Sequence, residues 1–309
     1  MGIASYIRTI GRGKEGARPL TRDQAHDLMS QVLDGRVTDL EVGAFALAMR
    51  IKGESVDELE GFLDAAHERC LHLATMRPAV VLPAYNGARK LPNLTALLAL
   101  LLAREGIDVL VHGVIDDAGR VTTAAVLRAL GLPMATGIGD VAAAWARHEP
   151  AFIPIAALSP ALARLIDVRR IVGVRNSGHT VAKLLLPSPG ALRVVNHTHP
   201  EYGSLLQDFL ARTRADAMLL RGTEGEPVAD PRRDPKLDVW LGGERRPELS
   251  RDRQEGTLAT VAPLPEHHDA ATTAAYVRRI VEGIEAAPAP VLRQAECLAA
   301  ALRARPPLA

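Results

Sequence analysis

Residues 83–95 read PAYNGARKLPNLT and lie between an apolar run, AVVLP, and a leucine-rich segment, ALLALLLAREG. A strand that leads through a turn into a helix is a usual phosphate site in α/β proteins, because backbone N–H groups at a helix N-terminus attract anions. Gly87 is the single glycine of this stretch. The stretch therefore predicts an altered anion site with Arg89 and Lys90 at its mouth as candidate phosphate ligands. An Asn-Gly turn carrying two solvated charges is the alternative.

A second basic group lies in RRIVGVRNSGHTVAKL, residues 169–184. Arg175, His179 and Lys183 are four residues apart, which would place them along one face of a helix. Arg169 and Arg170 precede them. Such a stripe suits the phosphate backbone of a polyanion, and we expect His179 to add positive charge below neutral pH. A solvated basic face without a ligand is the alternative.

The N-terminal segment GRGKEGAR carries three more candidate phosphate ligands, Arg12, Lys14 and Arg18, on a polar stretch that we expect to be flexible. Over the whole chain, 37 basic and 36 acidic residues give a net charge of +1, so bulk electrostatics does not by itself predict a nucleic-acid binder. Nearly all of the basic residues are arginine, which a GC-rich genome explains and which also suits paired contacts to phosphate oxygens. Aromatic residues make up 3%, so any nucleic-acid binding should depend on phosphate contacts and on salt rather than on base stacking.

No metal site is predicted. His197 and His199 in NHTHPEY point the same way on an extended segment, but no third ligand has a dependable spacing. The two cysteines, Cys70 and Cys297, lack ligand or disulfide spacing, which favours a reducing cytoplasm. The N-terminus lacks the apolar core of a signal peptide, and the apolar runs are too short to span a bilayer.

The elements that position these residues fall into two kinds. TRDQ at Thr21, TDLE at Thr38 and SVDE at Ser55 each place a hydroxyl residue three positions before Gln or Glu, the capping-box pattern of a helix start. Residues 1–74 are therefore predicted to form a helical domain. From about residue 79, short β-branched runs alternate with helical stretches, which predicts a mainly parallel sheet covered by helices.

Sites in such a sheet lie at the carboxyl ends of the strands. The polar residues expected there are Tyr85, Asn86, His112, Asn196, His197, Thr198, His199, Arg221 and Glu224. Residues 227–269 are rich in proline and charge and are predicted to be surface loops, and their balanced charge argues against a basic patch. A final helical stretch is expected over residues 270–304.

The order of these motifs resembles the anthranilate phosphoribosyltransferase family, within glycosyltransferase family 3. The resemblance rests on LAMRIKGES at the end of the helical domain, the asparagine-bearing helix after the first strand, HG after the next strand, and AAVLRALGLP. It implies a small helical domain joined by a returning helical segment near residues 160–186, and an α/β domain over residues 75–309 that holds a phosphoribosyl pyrophosphate cleft.

The family's phosphate and metal motifs are replaced in this chain. Aligned on Asn93, the GTGGD pyrophosphate loop becomes Pro83-Ala84-Tyr85-Asn86-Gly87, and KHGN becomes Val111-His112-Gly113-Val114. The magnesium-binding Asp-Glu pair falls on Pro227 and Val228. Proline donates no N–H, and the leaving pyrophosphate needs its charge neutralised. Glu224 and Glu226 could replace the missing acids, but a solvated loop charge is the role we expect for them.

A narrower resemblance is to the YbiB-type family, whose members are described as nucleic-acid-binding homodimers that lack the transferase activity. NGARK, NLTALLALLL, VLVHGV, GVRNSGHTVAKL, THPEY and RGTEGE carry it, and it runs from end to end. It implies dimerisation through the helical domain and binding of DNA or RNA without sequence preference, with no cofactor. The cleft residues Tyr85, Asn86, Gly87, Asn93, His112 and Gly113 would then be a degenerate site, with His112-Gly113 kept for loop shape.

Two other functions fit the same residues. One is a phosphoribosyltransferase, or a nucleoside phosphorylase relative, with an anion loop rebuilt around Asn86, Gly87, Arg89 and Lys90. The other is a sensor of a phosphorylated metabolite that retains the cleft without chemistry. The first predicts Mg²⁺-dependent binding of phosphoribosyl pyrophosphate, and the second predicts stabilisation by the metabolite without turnover.

Overall fold

The structure is a computed structural model that describes residues 2–74 and 77–305, apart from the side chain of Lys14. Within these residues the chain forms fifteen helices and seven strands. In chain order they are α1 (Ala4–Ile10), α2 (Gly13–Gly16), α3 (Arg22–Leu33), α4 (Asp39–Lys52), α5 (Val56–His67), β1 (Ala79–Ala84), α6 (Thr95–Arg104), β2 (Asp108–Gly113), α7 (Thr123–Ala129), α8 (Ile138–Ala146), β3 (Ala151–Pro154), α9 (Ile155–Leu158), α10 (Pro160–Asp167), α11 (Arg169–Val172), α12 (Ser177–Leu184), β4 (Leu192–His197), α13 (Glu201–Arg212), β5 (Ala217–Arg221), β6 (Leu237–Leu241), β7 (Glu244–Arg245), α14 (Ala270–Val281) and α15 (Ala289–Ala304).

The described chain divides into two compact units. The helical unit contains residues up to His72 together with Ile155–Pro187, so the chain leaves this unit and later returns to it. The sheet unit contains Leu73–Pro154 and the residues from Ser188 onward.

Three helices of the helical unit begin as the sequence predicts. Thr21, Thr38 and Ser55 each accept a hydrogen bond from the backbone N–H three residues later, and the side chains of Gln24, Glu41 and Glu58 accept from the three cap N–H groups in return. The predicted capping boxes are therefore confirmed. They fix where α3, α4 and α5 start, and so which faces are apolar.

The core of the helical unit forms where α3 packs against α5. Phe45 of α4 meets Phe62 of α5 edge to face, with ring centroids 5.8 Å apart. Glu58 is fully buried at this core, where Lys52 Nζ forms an ion pair with it and the backbone N–H of Leu20 donates to Oε1 at 3.0 Å. Because each carboxylate oxygen has a partner, the buried charge does not stand unpaired.

The returning segment is attached by specific bonds. The N–H of Leu71 donates to Leu158 O, and Ser159 Oγ donates to Arg69 O, both at 2.9 Å. Arg164 Nη2 donates to Leu33 O at 3.1 Å, and Ser177 Oγ donates to Glu54 Oε1 at 2.7 Å. These contacts join residues 155–187 to the rest of the helical unit.

The sheet unit is built on seven strands in the order β3-β2-β1-β4-β5-β6-β7. The first five run parallel, and β6 and β7 add antiparallel. The mainly parallel sheet expected from the strand-helix alternation is thus confirmed. Leucine-rich α6 and α15 pack on it and bury side chains such as Leu98 and Leu298.

Two stretches differ from the sequence prediction. The region 227–269 is not all surface loop, because LDVWL at residues 237–241 forms the buried strand β6. The strand has four apolar residues interrupted by Asp238, and its neighbours in sequence are also charged, which hid it. The stretch 270–304 is two helices, α14 and α15, separated by residues 282–288, which include Gly283 at positive φ and Pro288.

The α3–α5 contact gives a test of packing. A Cβ added to Gly61 of α5 would lie 2.2 Å from Arg22 O and 2.8 Å from the Cβ of Ala25. We expect Gly61→Ala to lower the free energy of unfolding by about 1–3 kcal/mol, as overpacking does, measured by urea denaturation. Gly139→Ala in α8 is the control, since nothing lies within 4 Å of its Cβ and the stability should stay level or rise. Equal losses in both variants would contradict this account of the contact.

Candidate functional site

The candidate site lies in the sheet unit, where β1, β2, β4 and β5 end. The register places Ala84 beside Gly113 and His197 beside Arg221, so the connections that follow these strands emerge at one edge. A Cβ on Gly113 would lie 1.9 Å from Ala84 O, so only glycine allows β1 and β2 to approach this closely at their ends.

Tyr85 and His112 form a buried pair at this edge. Tyr85 Oη lies 2.7 Å from His112 Nδ1, and the two rings meet at an interplanar angle of 71°. Both side chains are buried. His112 is therefore held by a phenol inside the sheet unit rather than presented to a substrate as a general base.

Glu226 is the centre of the site. Its Oε1 accepts hydrogen bonds from the backbone N–H groups of Asn86 at 2.8 Å and Gly87 at 2.9 Å. Its Oε2 accepts from Thr123 Oγ1 at 2.7 Å and Asn93 Nδ2 at 3.3 Å. The residue is 1% exposed. Four donors therefore surround one buried carboxylate, and two of them are the last positions of the stretch aligned with the GTGGD loop.

Glu224 binds the next part of the same connection. Its Oε1 accepts from the N–H groups of Lys90 at 2.7 Å, and of Arg89 and Leu91 at 3.1 Å each. Arg120 Nη1 lies 4.0 Å from Oε2. The expectation that the two glutamates are solvated loop charges is therefore wrong, since both carboxylates are ligands of backbone N–H groups. Sequence reasoning could not see this, because the partners are about 135 residues away along the chain.

The loop that carries both glutamates is shaped for these contacts. Glu224 has φ +52° and Gly225 has φ +90°. A positive φ at a residue other than glycine costs about 1 kcal/mol or more, so other contacts must hold Glu224 there. A Cβ on Gly225 would lie 1.7 Å from Asn86 Nδ2, and one on Gly222 would lie 2.1 Å from Glu226 O. The glycines let the loop close on residues 86–91.

Asn93 and Arg120 complete the frame. Asn93 Oδ1 accepts from the N–H of Thr95 at the start of α6, and Asn93 Nδ2 also donates to Val121 O. Arg120 Nη1 donates to Gly87 O at 3.1 Å. The side chains of Arg89 and Lys90 are exposed and form no ion pair among the residues that the structure describes, while their N–H groups face Glu224. The structure thus separates their backbone role from their side-chain charge.

The positions aligned with the family's magnesium acids do not carry metal ligands. Pro227 O accepts from Gln294 Nε2 at 3.0 Å, and Val228 is buried. Within residues 2–74 and 77–305, no group of three or more His, Cys, Asp or Glu side chains could hold a metal ion. His197 Nδ1 lies 3.1 Å from His199 O, and His199 is exposed. Both free cysteines stand apart from this site, Cys70 in the helical unit and Cys297 in α15.

The second basic group lies on the returning segment of the helical unit. Residues 155–187 carry four arginines and one lysine against a single acid, Asp167. Arg169 and Arg170 are on the one-turn helix α11, and Arg170 Nε lies 3.2 Å from Asp167 Oδ1. Lys183 is in the last turn of α12. This segment therefore has a strong local excess of positive charge in a chain whose total is near zero.

Two details of the predicted stripe are wrong. Arg175 precedes α12, which starts at Ser177 with Asn176 as its cap, so only His179 and Lys183 share a helix face. His179 is buried as the capping partner of Asn176. Its pKa is lowered to about 3 by burial first and then by the charges of Arg175, Arg169 and Lys183. His179 therefore does not gain charge just below neutral pH.

The N-terminal basic segment is partly helical, as α2. Arg12 is exposed at the cap of α2 and has no ion-pair partner in the described part of the chain. Arg18 Nη1 donates to Glu15 O at 2.7 Å and Ala17 O at 2.9 Å. The side chain of Lys14 lies outside the described residues. Arg8 of α1, which the sequence prediction omitted, is a further exposed arginine here.

No helix within residues 2–74 and 77–305 is both long and apolar enough to cross a bilayer.

The fold defines a class, the phosphoribosyltransferase-like proteins. Residues 4–70 match a family model described as the helical bundle domain of a glycosyl transferase family. An anthranilate phosphoribosyltransferase (TrpD) of Thermus thermophilus superposes with a TM-score of 0.74 at 22% identity, covering 96% of this chain and 87% of that one. A Saccharomyces cerevisiae anthranilate phosphoribosyltransferase in complex with PRPP and Mg superposes with a TM-score of 0.63 at 13% identity, covering 97% and 94%.

Sequence similarity narrows the class. An anthranilate phosphoribosyltransferase of Nocardioides sp. is 27% identical over 85% of this chain and 78% of its own. The uncharacterized protein YbiB of Escherichia coli K12 is 38% identical over 96% of this chain and 93% of its own. The chain therefore belongs to the YbiB-type family, a paralogous branch of the anthranilate phosphoribosyltransferase superfamily.

The buried imidazole gives a test in acid. The unfolded chain takes up a proton at His179 near the ordinary pKa of 6.5, whereas the folded chain does so only near 3. The free energy of unfolding should therefore fall as pH falls between these values, by at most about 1.4 kcal/mol per pH unit from this group. In His179→Gln, which keeps a capping-box partner for Asn176, we expect this slope to be lower by that amount in urea denaturation. The exposed His267→Gln controls for the loss of an imidazole, and an unchanged slope in His179→Gln would contradict the assignment.

Proposed function

We propose that this protein is a non-enzymatic homodimer that binds DNA or RNA without sequence preference. The observation that carries the proposal is the charge asymmetry of residues 155–187, with five cations against one acid. Clusters of cationic side chains neutralise the phosphates of a polyanion backbone and displace its counterions, and the release of these counterions favours binding. This binding needs no contact to the bases. The exposed Arg8 and Arg12 of the same unit add to the positive surface.

The absence of a transferase activity is supported by the candidate site. The N–H groups of Asn86, Gly87, Arg89, Lys90 and Leu91 donate to the chain's own carboxylates. Pro83 has no N–H to offer. Catalysis of phosphoribosyl transfer requires that the negative charge on the leaving pyrophosphate be stabilised, usually by backbone N–H donors and Mg²⁺. A pyrophosphate entering this loop would instead be repelled by the two carboxylates already there.

A dimer is supported by one face of α4. Leu40, Leu47 and Ile51 are 83%, 47% and 68% exposed, and Ala44 between them is also exposed. Spacings of four, three and four residues place these side chains on one stripe, opposite the buried Phe45 and Met49. An exposed apolar stripe on a helix marks a protein contact. A second copy is the occupant we propose, because two identical stripes pair across a twofold axis.

The two free thiols, Cys70 and Cys297, fit a reducing compartment, and we propose the cytoplasm.

Binding is tested by fluorescence anisotropy with a labelled single-stranded oligonucleotide over a series of salt concentrations. We expect the logarithm of the association constant to fall linearly with the logarithm of the salt concentration. The magnitude of this slope should decrease by about 0.7 for each phosphate contact that is removed. Arg169→Ala with Arg170→Ala should weaken binding and reduce the slope by about 1.4. Arg233→Ala with Arg253→Ala is the control, since it removes two exposed arginines from the charge-balanced region of the sheet unit.

No binding by the wild-type protein at low salt would overturn the proposal. Saturable Mg²⁺-dependent binding of phosphoribosyl pyrophosphate, lost in Arg89→Ala, would instead favour a transferase with a rebuilt loop. Equal losses in the two double variants would place the nucleic-acid contact elsewhere than on the returning segment.

The dimer is tested by light scattering after size-exclusion chromatography. Leu47→Asp with Ile51→Asp introduces charges that must be desolvated in a dimer, so we expect the monomer mass at concentrations where the wild-type protein is dimeric. Ile284→Asp, at a residue of the sheet unit that is 68% exposed, should leave the mass unchanged. A monomeric wild-type protein, or a dimer that survives the double substitution, would contradict this interface.

A further inference from the structure

The donors around Glu224 and Glu226 form an anion-binding arrangement. Consecutive backbone N–H groups, a threonine hydroxyl, an asparagine amide and an arginine converge on two carboxylates. These are the groups with which proteins bind phosphate oxygens. Nothing in this donor set requires a carboxylate in particular.

The two carboxylates are delivered by one short loop. Glu224 and Glu226 are separated only by Gly225, and their acceptors meet two adjacent groups of donors, at residues 86–87 and at residues 89–91. Two linked anionic groups, the carboxylates of Glu224 and Glu226, thus accept hydrogen bonds from one stretch of backbone, residues 86–91. A diphosphate has the same character.

We propose that Glu224 and Glu226 are internal ligands that fill a diphosphate-type anion site, and that this site accepts free pyrophosphate once both carboxylates are removed. In the wild-type protein the tether gives the carboxylates a high effective concentration, against which a free anion must compete. An arriving anion would also meet two negative charges of like sign. The site is thus closed by the chain itself rather than lost.

The burial of Glu226 supports this reading over a structural ion pair. Its four partners described above are all neutral hydrogen-bond donors, and the arginine of the donor set, Arg120, lies 4.0 Å from Glu224 instead. Oriented backbone and side-chain dipoles therefore hold this carboxylate in the way that a concave run of backbone N–H groups holds a free anion. Removing it leaves those donors pointing into a polar space that an oxyanion fits.

The test is a calorimetric titration with inorganic pyrophosphate at constant ionic strength and with EDTA present. We expect no detectable binding to the wild-type protein. The double variant Glu224→Ala with Glu226→Ala should bind pyrophosphate with an affinity at least about tenfold above the detection limit that the wild-type titration sets. Thermal unfolding of the double variant should shift upward with pyrophosphate, because the ligand binds only the folded state. Orthophosphate and sulfate, tested separately, should bind more weakly, since each occupies only one of the two groups of donors.

Glu248→Ala with Glu255→Ala is the matched control, because it removes two exposed acids and changes the net charge equally. If the alanine pair does not fold, the single variant Glu224→Ala decides, since it frees the N–H groups of residues 89–91 and leaves the buried Glu226 in place. Folded variants that bind pyrophosphate no better than the wild-type protein would overturn the proposal. So would equal binding by the wild-type protein or by the control.

Arg120→Ala, added to the double variant Glu224→Ala with Glu226→Ala, should weaken pyrophosphate binding, because the Arg120 guanidinium is the cation of this donor set. An unchanged affinity would place the pyrophosphate elsewhere and would also overturn the proposal. The titration contains no nucleic acid, so its outcome is separate from that of the oligonucleotide experiment.

Discussion

The buried carboxylate of Glu226 holds the edge of the sheet unit together. Its two oxygens join the turn after β1 to Asn93, just before α6, and to Thr123 at the start of α7. These donors come from separate segments of the chain, and each would lose this acceptor if the carboxylate were removed. Because a buried unsatisfied donor is costly, the loop after β5 and the loop after β1 are fixed together. The conformation of Glu224, at positive φ, follows from the same closure.

This arrangement uses the scaffold of the superfamily to hold the chain's own carboxylates. The sheet order, the glycine at the end of β2 and the asparagine before α6 supply the scaffold on which a phosphate loop could be built. Here the N–H groups of that loop are satisfied from within. A protein can therefore retain a ligand-binding frame as a structural element, because backbone donors need an acceptor whether or not a ligand is present.

The helical unit differs between its buried inner faces and its exposed outer faces. Its inner faces are ordinary helix packing around Phe45 and Phe62, and its buried charge, Glu58, is paired with Lys52. Its outer features are the apolar stripe on α4 and the positive returning segment. Neither feature stabilises an isolated chain, since exposed apolar side chains and like charges are unfavourable in water. They are the two features from which the contacts with nucleic acid and with a second copy of the chain are proposed.

The sequence by itself determined the starts of α3, α4 and α5, the parallel strands β1 to β5 and the edge of the sheet at which polar residues gather. These features depend on local hydrogen bonds and on apolar periodicity, which neighbouring residues express. It missed β6, because four apolar residues that are interrupted by Asp238 and flanked by charged neighbours give too weak a signal. Only the tertiary structure decided that His179 is buried and uncharged, and that Glu224 and Glu226 bind the N–H groups of residues 86–91. The physical reason is that burial and long-range hydrogen bonds arise from packing between segments far apart in the chain, which no spacing within a motif records.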